Sequence, residues 1–297
     1  MPRRQRMKLI VNPVAGGGAG LRAIPKIQRF LGELGGDLDL QITSKPKEAK
    51  AIAHLAVKLG CGVVVAVGGD GTVNEVATSL VGTEVALGVI PTGNGNDFFR
   101  ITGIDSSLLA CCKALTAGRF RRIDVGSLGD NRFFFNALGV GLNGTIARRA
   151  SRTHLLRGSP LYLYATLKTI PLYHPPQMKV RIEDYELQGR TTLIAVGNGA
   201  STGGGFQLTP FASADDGLLD ICLIERVSKL KMFYYLPRLS KGNIPHLRSV
   251  KMFRGRKVEV ESETPFTAHL DGEILGTDLH RLRADLLPKK LKVISKL

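Results

Sequence analysis

The sequence is poor in cysteine and has no long apolar segment, and each shortage excludes a class of protein. Its 297 residues include only four cysteines, at positions 61, 111, 112 and 222, and no C-x-x-C pair. The six histidines show no H-E-x-x-H spacing, so we expect neither a disulfide framework nor a zinc site. The apolar run at 63–67 is far shorter than the ~20 residues that a membrane-spanning helix needs.

The apolar stretch near the N-terminus is also short, because it is interrupted at Asn12 and Pro13. It is too short for the core of a secretion signal, so we expect a protein of the reducing cytoplasm. The rest of the composition, with 43% hydrophobic and 22% charged residues, is typical of a soluble globular chain of one large or two ordinary domains.

Acidic side chains are scarce relative to basic ones. Lys and Arg total 41 and Asp and Glu total 25, which gives a formal net charge of +16. This surplus favours an acidic partner, which could be a nucleic acid, an anionic membrane face or a phosphate-bearing substrate. Two stretches, 131–182 and 226–257, contain no acidic residue, and the second has ten basic ones interleaved with apolar ones. The first stretch contains a cluster of arginines: Arg148, Arg149, Arg152 and Arg157.

Strand and helix patterns alternate over residues 1–124, which predicts an α/β domain with a parallel sheet and helices on both of its faces. From about residue 125 the segments become short, alternating and turn-rich, which predicts an all-β sandwich or barrel-like domain over 125–285. Two helical inserts are expected within it, at 160–170 and 229–239. An exposed sandwich edge could pair with a second copy of the chain.

Three of the four early strands end in glycine-rich turns, at 12–18, 68–72 and 91–97. Strands of a parallel sheet end at one edge, and glycine lets backbone N–H groups approach phosphate oxygens closely. Three such turns therefore predict a polyphosphate site, although glycine also turns the chain in folds with no such site. Asp70 and Asp97 indicate Mg²⁺ or a hydroxyl nearby. No turn has the P-loop or dinucleotide-binding spacing.

Five motifs, taken in order, resemble one known family. They are I-V-N-P at 10–13, G-G-D-G-T-V-N-E at 68–75, G-x-G-N-D-F at 93–98, D-D-G-L-L-D at 215–220 and H-L-D-G-E at 269–273. The chain resembles the diacylglycerol kinase catalytic-domain family, and within it the bacterial soluble lipid kinases, which also resemble sphingosine and ceramide kinases. G-G-D-G-T alone is shared with NAD kinases, so the two late motifs make the resemblance specific.

The resemblance implies an ATP- and Mg²⁺-dependent lipid kinase that phosphorylates a lipid hydroxyl, with diacylglycerol as the leading acceptor and phosphatidic acid as the product. It implies a last strand, within 286–297, that returns to the first domain. Glu273 is expected as the catalytic base, and Asp70 as a ligand of catalytic Mg²⁺ or a group that orients the hydroxyl. A structural Mg²⁺ site is expected at Asp216 and the main-chain oxygens of Ser213 and Leu218. The ATP contacts are expected at Asn12, Pro13, Val14, Ala15, Gly16, Thr43, Gly68, Gly69, Asp70, Gly71, Thr72, Val73, Asn74, Asn94, Asn96 and Asp97.

Two positions depart from the family pattern, since Asn94 stands where threonine is usual and Ala15 where serine is usual. Asp271 with Gly272 also fits a simple hairpin turn, and His269 fits a packing residue.

Other functions stay open: an NAD kinase-like phosphotransferase, or a non-catalytic basic protein that binds nucleotide or nucleic acid. Without a zinc-finger or helix-turn-helix signal we expect no nucleic acid. For a lipid kinase, the basic and apolar stretch 226–257 predicts transient docking on anionic membranes.

Overall fold

The computed structural model describes residues 6–34, 37–153, 158–239 and 241–296, so Arg157 of the arginine cluster lies outside the described residues. The chain divides into two compact units. The first comprises Met1–Ile123 with Pro288–Leu297, and the second comprises Asp124–Leu287. Within the described residues, the longest apolar helices fall short of what a bilayer crossing requires.

The first unit is built on a parallel sheet of four strands in the order β2-β1-β3-β4. The strands are β1 (Arg6–Val11), β2 (Asp37–Ile42), β3 (Val63–Gly68) and β4 (Ala86–Pro91). Every residue of β3 is buried, as its continuous β-branched run predicts for a strand covered on both faces. The end of the last strand, β13 (Glu273–Ile294), pairs in parallel with β4 through Val293 and Leu87.

Helices alternate with these strands, which confirms the predicted α/β class of the first unit. They are α1 (Ala19–Glu33), α2 (Glu48–Lys58), α3 (Asp70–Leu80), α4 (Asp97–Ile101) and α5 (Leu108–Ala117). Helix α3 begins four residues before the predicted start at Asn74. Gly69 has an extended conformation and serves as its N-cap, so the first turn of the helix contains the G-D-G-T motif itself. The first N–H groups of the helix therefore belong to the second glycine turn itself.

The second unit contains a predominantly antiparallel sheet, in agreement with the predicted sandwich class. Besides most of β13, its strands are β6 (Phe133–Phe134), β7 (Ala137–Gly141), β8 (Gln177–Ile182), β9 (Tyr185–Gly197), β10 (Leu219–Glu225), β11 (Val250–Gly255) and β12 (Lys257–Leu270). Strand β5 (Phe120–Ser127) begins in the first unit and continues into the second. Alternate residues of β9 belong to two cores. Ile194 and Val196 pack with the other strands, whereas Leu193 and Ala195 pack under helices. Successive side chains of a strand point to opposite faces, so both faces of this part of β9 are covered.

The helices over that second face are α6 (Leu142–Ser151), α7 (Gly158–Thr169) with a 3-10 turn at Ile170–Leu172, and α8 (Lys229–Leu239). We call these three helices and the turn the helical layer. The two predicted inserts correspond to α7 and α8, whereas α6 was not predicted. Its sequence, L-N-G-T-I-A-R-R-A-S, contains several weak helix formers. The burial of Leu142, Ile146 and Ala150 shows that tertiary packing stabilises it.

The turn between β12 and β13 is anchored by a side chain. Asp271 and Gly272 have φ of +48° and +92°, and they form the hairpin turn that their sequence suggests. The Asp271 carboxylate accepts hydrogen bonds from the backbone N–H groups of Phe135, Asn136 and Ala137, at 2.8, 3.0 and 2.8 Å. One carboxylate therefore satisfies three consecutive amides at the start of β7.

We predict that Asp271→Ala destabilises the protein by about 3 kcal/mol, because three backbone donors lose a charged acceptor. Urea unfolding followed by circular dichroism measures this change. Asp278→Ala serves as the control, since Asp278 is an exposed residue of the same hairpin and should cost less than about 0.5 kcal/mol. Equal losses in the two variants would contradict the anchoring role of Asp271.

Candidate active site

The glycine-rich turns of the first unit meet at one edge of its sheet. Turn 12–18 follows β1, turn 68–72 follows β3 and turn 91–97 follows β4, and these three strands are neighbours in the parallel sheet. We call the three turns the glycine rim. Thr43, which follows β2, ends the adjacent strand at the same edge, where its backbone N–H donates to the Val11 carbonyl at 2.9 Å. The predicted ATP-binding residues are therefore collected along one edge.

Side chains of the rim connect the turns to one another. The Asn12 amide donates from Nδ2 to the Thr72 hydroxyl at 3.0 Å, and its Oδ1 accepts the N–H of Val14 at 3.1 Å. The Asp70 carboxylate accepts the N–H of Phe98 at 3.1 Å. Asn12 thus joins the first turn to the second, and Asp70 joins the second to the third.

Glycine is required at two places in the rim because backbones approach too closely for a side chain. A Cβ on Gly93 would lie 2.4 Å from the Cα of Gly69, and a Cβ on Gly16 would lie 1.9 Å from the Thr92 carbonyl oxygen. Gly16 also has a φ of +57°. Five N–H groups of turn 12–18, those of Asn12, Val14, Ala15, Gly17 and Gly18, already donate to oxygens of the protein. The attraction of this edge for an anion therefore rests mainly on the positive end of the α3 dipole at turn 68–72.

The other predicted contact residues differ in their exposure and in the partners that their side chains already have. Val73 is buried, so its backbone alone is available, whereas Val14 and Asn94 are exposed. Asp97 is buried, and its carboxylate lies 3.8 Å from the Arg100 guanidinium. Asn96 adopts a φ of +51°, and its side chain donates to the Gly93 carbonyl at 2.8 Å.

Two further residues, Asn74 and Thr92, lie at this edge of the sheet. The side-chain oxygen Oδ1 of Asn74 accepts a hydrogen bond from the Thr78 hydroxyl at 3.4 Å. Sequence analysis did not single out Thr92, yet its hydroxyl is buried and has no hydrogen-bond partner within the described part of the chain. Its position directly after β4, before the glycine of the third turn, was the one signal that could have identified it.

In the second unit, Glu273 is the first residue of β13 and its side chain is exposed. The turn before it is held by Asp271 and by His269, whose Nδ1 accepts the Gly272 N–H at 3.1 Å. Burial lowers the pKa of His269 to about 4, so the imidazole is neutral near pH 7. His269 is thus a packing residue, as predicted, that also supports the turn presenting Glu273.

The predicted magnesium ligands Ser213, Asp216 and Leu218 lie in one turn before β10. Oxygen donors suit Mg²⁺, but the single carboxylate among them already has partners. One oxygen of Asp216 accepts the Leu218 N–H at 3.1 Å, and the other forms an ion pair with Arg254. The described residues hold no cluster of three or more Asp, Glu, His or Cys that could bind a metal. This arrangement does not fit a bound Mg²⁺ ion, so we assign the ion no role there.

A cavity that sequence analysis did not anticipate lies between the sheet of the second unit and the helical layer. The cavity volume is about 60 Å³, and its lining is mostly apolar. The lining residues come from β9, from β10, from the segment 202–208 and from all three helices, and include Ile146, Tyr162, Leu193, Met232 and Leu236. Because these residues are far apart in sequence, no spacing in the sequence indicates the cavity.

Two family models match the chain, and together they cover almost all of it. Residues 6–128 match the diacylglycerol kinase catalytic domain, and residues 136–295 match the YegS C-terminal NAD kinase beta sandwich-like domain. The expected resemblance to the diacylglycerol kinase family is thereby confirmed. Membership of a kinase family implies phosphoryl transfer with ATP as the donor.

Curated relatives agree with the family models over nearly their whole length. The chain is 34% identical to a "Probable lipid kinase YegS-like" of Chromohalobacter salexigens, over 90% of this chain and 88% of that protein. It is 31% identical to a protein of the same name from Klebsiella pneumoniae, over 96% and 94%. It is 26% identical to a diacylglycerol kinase of Staphylococcus saprophyticus, over 92% and 90%.

Solved structures share the fold. A diacylglycerol kinase from Bacillus anthracis superposes with a TM-score of 0.78 at 23% identity, over 100% of this chain and 98% of that one. An NAD kinase from Archaeoglobus fulgidus in complex with ATP superposes with a TM-score of 0.55 at 15% identity, over 97% and 93%. The α/β unit followed by a sandwich-like unit is therefore an architecture common to both kinases. The chain belongs to the family of lipid kinases that combine a diacylglycerol kinase catalytic domain with a YegS-type C-terminal domain.

Proposed function

We propose that this lipid kinase transfers the γ-phosphate of ATP to the free hydroxyl of diacylglycerol and releases phosphatidic acid and ADP. The observation that carries the choice of acceptor is the apolar cavity of the second unit. Its lining suits acyl chains, whereas the polar groups of a dinucleotide such as NAD would lose hydration there without compensation. The lipid kinase relatives support the same choice. A cytoplasmic location and transient contact with membranes are part of this proposal, and a homodimer stays a prediction.

In this proposal the donor phosphates bind at the glycine rim, where the N-terminus of α3 provides backbone amides. Neutralising the charge of a transferring phosphoryl group is a large part of its catalysis, and amides with a helix N-terminus contribute to it. Asp70 is a carboxylate beside that site and fits the Mg²⁺ ion that accompanies ATP, whereas the Asp97 carboxylate is buried beside Arg100. Bound there, the ion would neutralise part of the phosphate charge. Asp70 also holds the third turn in place through Phe98.

Glu273 is the proposed proton acceptor. The acceptor oxygen forms a bond to the γ-phosphorus, the bond from that phosphorus to the β,γ-bridging oxygen breaks, and the hydroxyl proton passes to the Glu273 carboxylate. The support from this chain is the exposure of Glu273 on a turn held by Asp271 and His269. Because the backbone of this turn is already held, its position does not have to be ordered when a substrate binds.

The helical layer is the proposed membrane-docking surface. Its helices and 3-10 turn contain no acidic residue and six basic ones. Large apolar side chains project from its outer side: Leu163, Leu167, Leu172, Leu230 and Tyr234 are all exposed, Leu230 to 82%. The inner faces of the same helices line the apolar cavity. A bilayer bound to this surface would therefore lie next to the proposed acyl-chain site. The predicted docking stretch 226–257 contributes α8 to it, and α7 is an addition from the structure.

We predict that Glu273→Gln and Asp70→Ala each lower turnover at least about 100-fold while the fold stays intact. Transfer of radiolabelled γ-phosphate to a panel of lipids, with NAD included, measures turnover, and circular dichroism checks the fold. Glu263→Gln is the matched control, because Glu263 is an exposed glutamate of the preceding strand. If Glu273→Gln kept full turnover, the proposed base would be wrong, and transfer to NAD alone would reject the lipid acceptor.

We predict that Thr166→Phe selectively impairs long-chain acceptors. Thr166 is a buried residue on the cavity side of α7, so a phenyl ring there would occupy space proposed for acyl chains. The ratio of kcat/KM for long-chain to short-chain diacylglycerol should fall about 10-fold or more. Thr264→Phe, at an exposed position on β12, should leave the ratio unchanged. Equal ratios in both variants and the unmodified enzyme would place the acyl chains elsewhere.

We predict that the protein sediments with anionic vesicles, and less so as salt is added, since each basic residue at such a surface contributes ~1 kcal/mol. Leu230→Glu should weaken this binding about 10-fold, because it places a charge on the apolar outer side of α8. Leu55→Glu, at an exposed leucine of α2, provides the control. Equal binding to neutral vesicles would reject the electrostatic contribution.

A further inference from the structure

An arginine of β11 lies between two carboxylates of the motif D-D-G-L-L-D. Asp220 on β10 stands opposite Arg254 on β11 in the antiparallel register. The Arg254 guanidinium is 3.4 Å from the Asp220 carboxylate through Nε, and through its terminal nitrogen it pairs with Asp216. A single cation therefore bridges the carboxylate expected to bind the structural Mg²⁺ ion and a second, buried one.

Two factors hold this guanidinium in position: the pairing of β10 with β11, and the buried Asp220 carboxylate, which requires a positive charge beside it. Asp220 is only 2% exposed, and a buried carboxylate is strongly destabilising unless an opposite charge lies beside it. Burial raises the pKa of Asp220, and the charge and hydrogen bond of Arg254 act in the opposite direction. Asp220 thus holds Arg254 in this position independently of Asp216.

The remainder of the turn at 213–218 is also held by groups of the protein. The Gly217 N–H donates to Asp124 Oδ2 at 2.7 Å, and the Gly217 carbonyl accepts from Arg256 Nε at 3.2 Å. The Asp124 N–H donates to the Ala214 carbonyl at 2.6 Å. The turn accordingly has partners on β5 and at Arg256, which lies between β11 and β12, so these backbone groups are held by the protein itself.

We propose that Arg254 takes the place of the structural divalent cation, so that the turn at 213–218 forms without bound Mg²⁺. A fixed guanidinium on Asp216 opposes a divalent ion at the same carboxylate by charge repulsion and by occupying its oxygen. The Mg²⁺ requirement of this enzyme is then restricted to the ion that accompanies the nucleotide. This inference concerns the stability of the second unit and does not depend on the proposed acceptor or base.

Thermal unfolding without nucleotide tests the proposal. The unmodified protein should have the same Tm in EDTA and in excess Mg²⁺, because an ion bound to the folded state alone would raise Tm by about 5 °C or more at saturation. Arg254→Met keeps an unbranched apolar side chain but removes the guanidinium and its charge. We expect this variant to have a lower Tm in EDTA and to regain part of the loss in Mg²⁺, which then reaches Asp216 and Asp220.

Two controls separate the cation role from a merely structural one. Arg254→Lys keeps a positive charge and should stay insensitive to Mg²⁺. Arg256→Met removes the neighbouring arginine, which contacts only the Gly217 carbonyl in this turn, and should lower Tm without creating any response to Mg²⁺. If Mg²⁺ failed to raise the Tm of Arg254→Met, the guanidinium would not stand in for a cation and the proposal would be overturned.

A binding measurement covers the case in which Arg254→Met does not fold. Mn²⁺ titration of the nucleotide-free protein, followed by electron paramagnetic resonance, should give the same isotherm for the unmodified chain and for Asp216→Asn. A binding site present in the first and absent from the second would show that a divalent ion reaches Asp216 despite Arg254. That result, like a fall of several degrees in the Tm of the unmodified protein in EDTA, would refute the proposal.

Discussion

Close backbone approach at the edge of the parallel sheet is the constraint on which the glycine rim depends. The turns after β3 and β4 come so near that a Cβ on Gly93 would lie 2.4 Å from the Gly69 Cα. Since the two strands are neighbours and run in parallel, their turns must share this space. Only glycine satisfies that condition, and the absence of Cβ atoms also lets a ligand approach the backbone closely. Close packing and the proposed phosphate binding therefore favour the same residue type.

In the proposed function the second unit has a different task, which is to present one carboxylate and to bind apolar chains. Asp271 does the first by fastening the β12–β13 turn to three amides of another segment, which leaves Glu273 exposed beside it. The helical layer does the second by packing over one face of the sheet without filling the space beneath. Its outer side is basic and apolar, so the proposed acyl-chain cavity and the proposed membrane-docking surface are two sides of the same helices.

Much of this organisation is readable in the sequence. Alternating strand and helix patterns predict the first unit, and each glycine turn has its place because parallel strands end at one edge. The motifs identify the family and the position of Glu273. Prediction failed where local pattern and final structure diverge. Helix α6 has weak intrinsic propensity and is stabilised by burial, and α3 starts earlier than its apolar spacing suggests because Gly69 caps it.

The sequence by itself determined the class of each unit, the order of the motifs and the excess of positive charge, since these depend on local spacing and composition. Tertiary structure alone decided the apolar cavity, the buried hydroxyl of Thr92 and the pairing of Arg254 with two carboxylates of β10 and the turn before it. Such features join residues that lie tens of positions apart. Contacts of that kind arise from strand register and helix packing, and neither leaves a periodic trace in the chain.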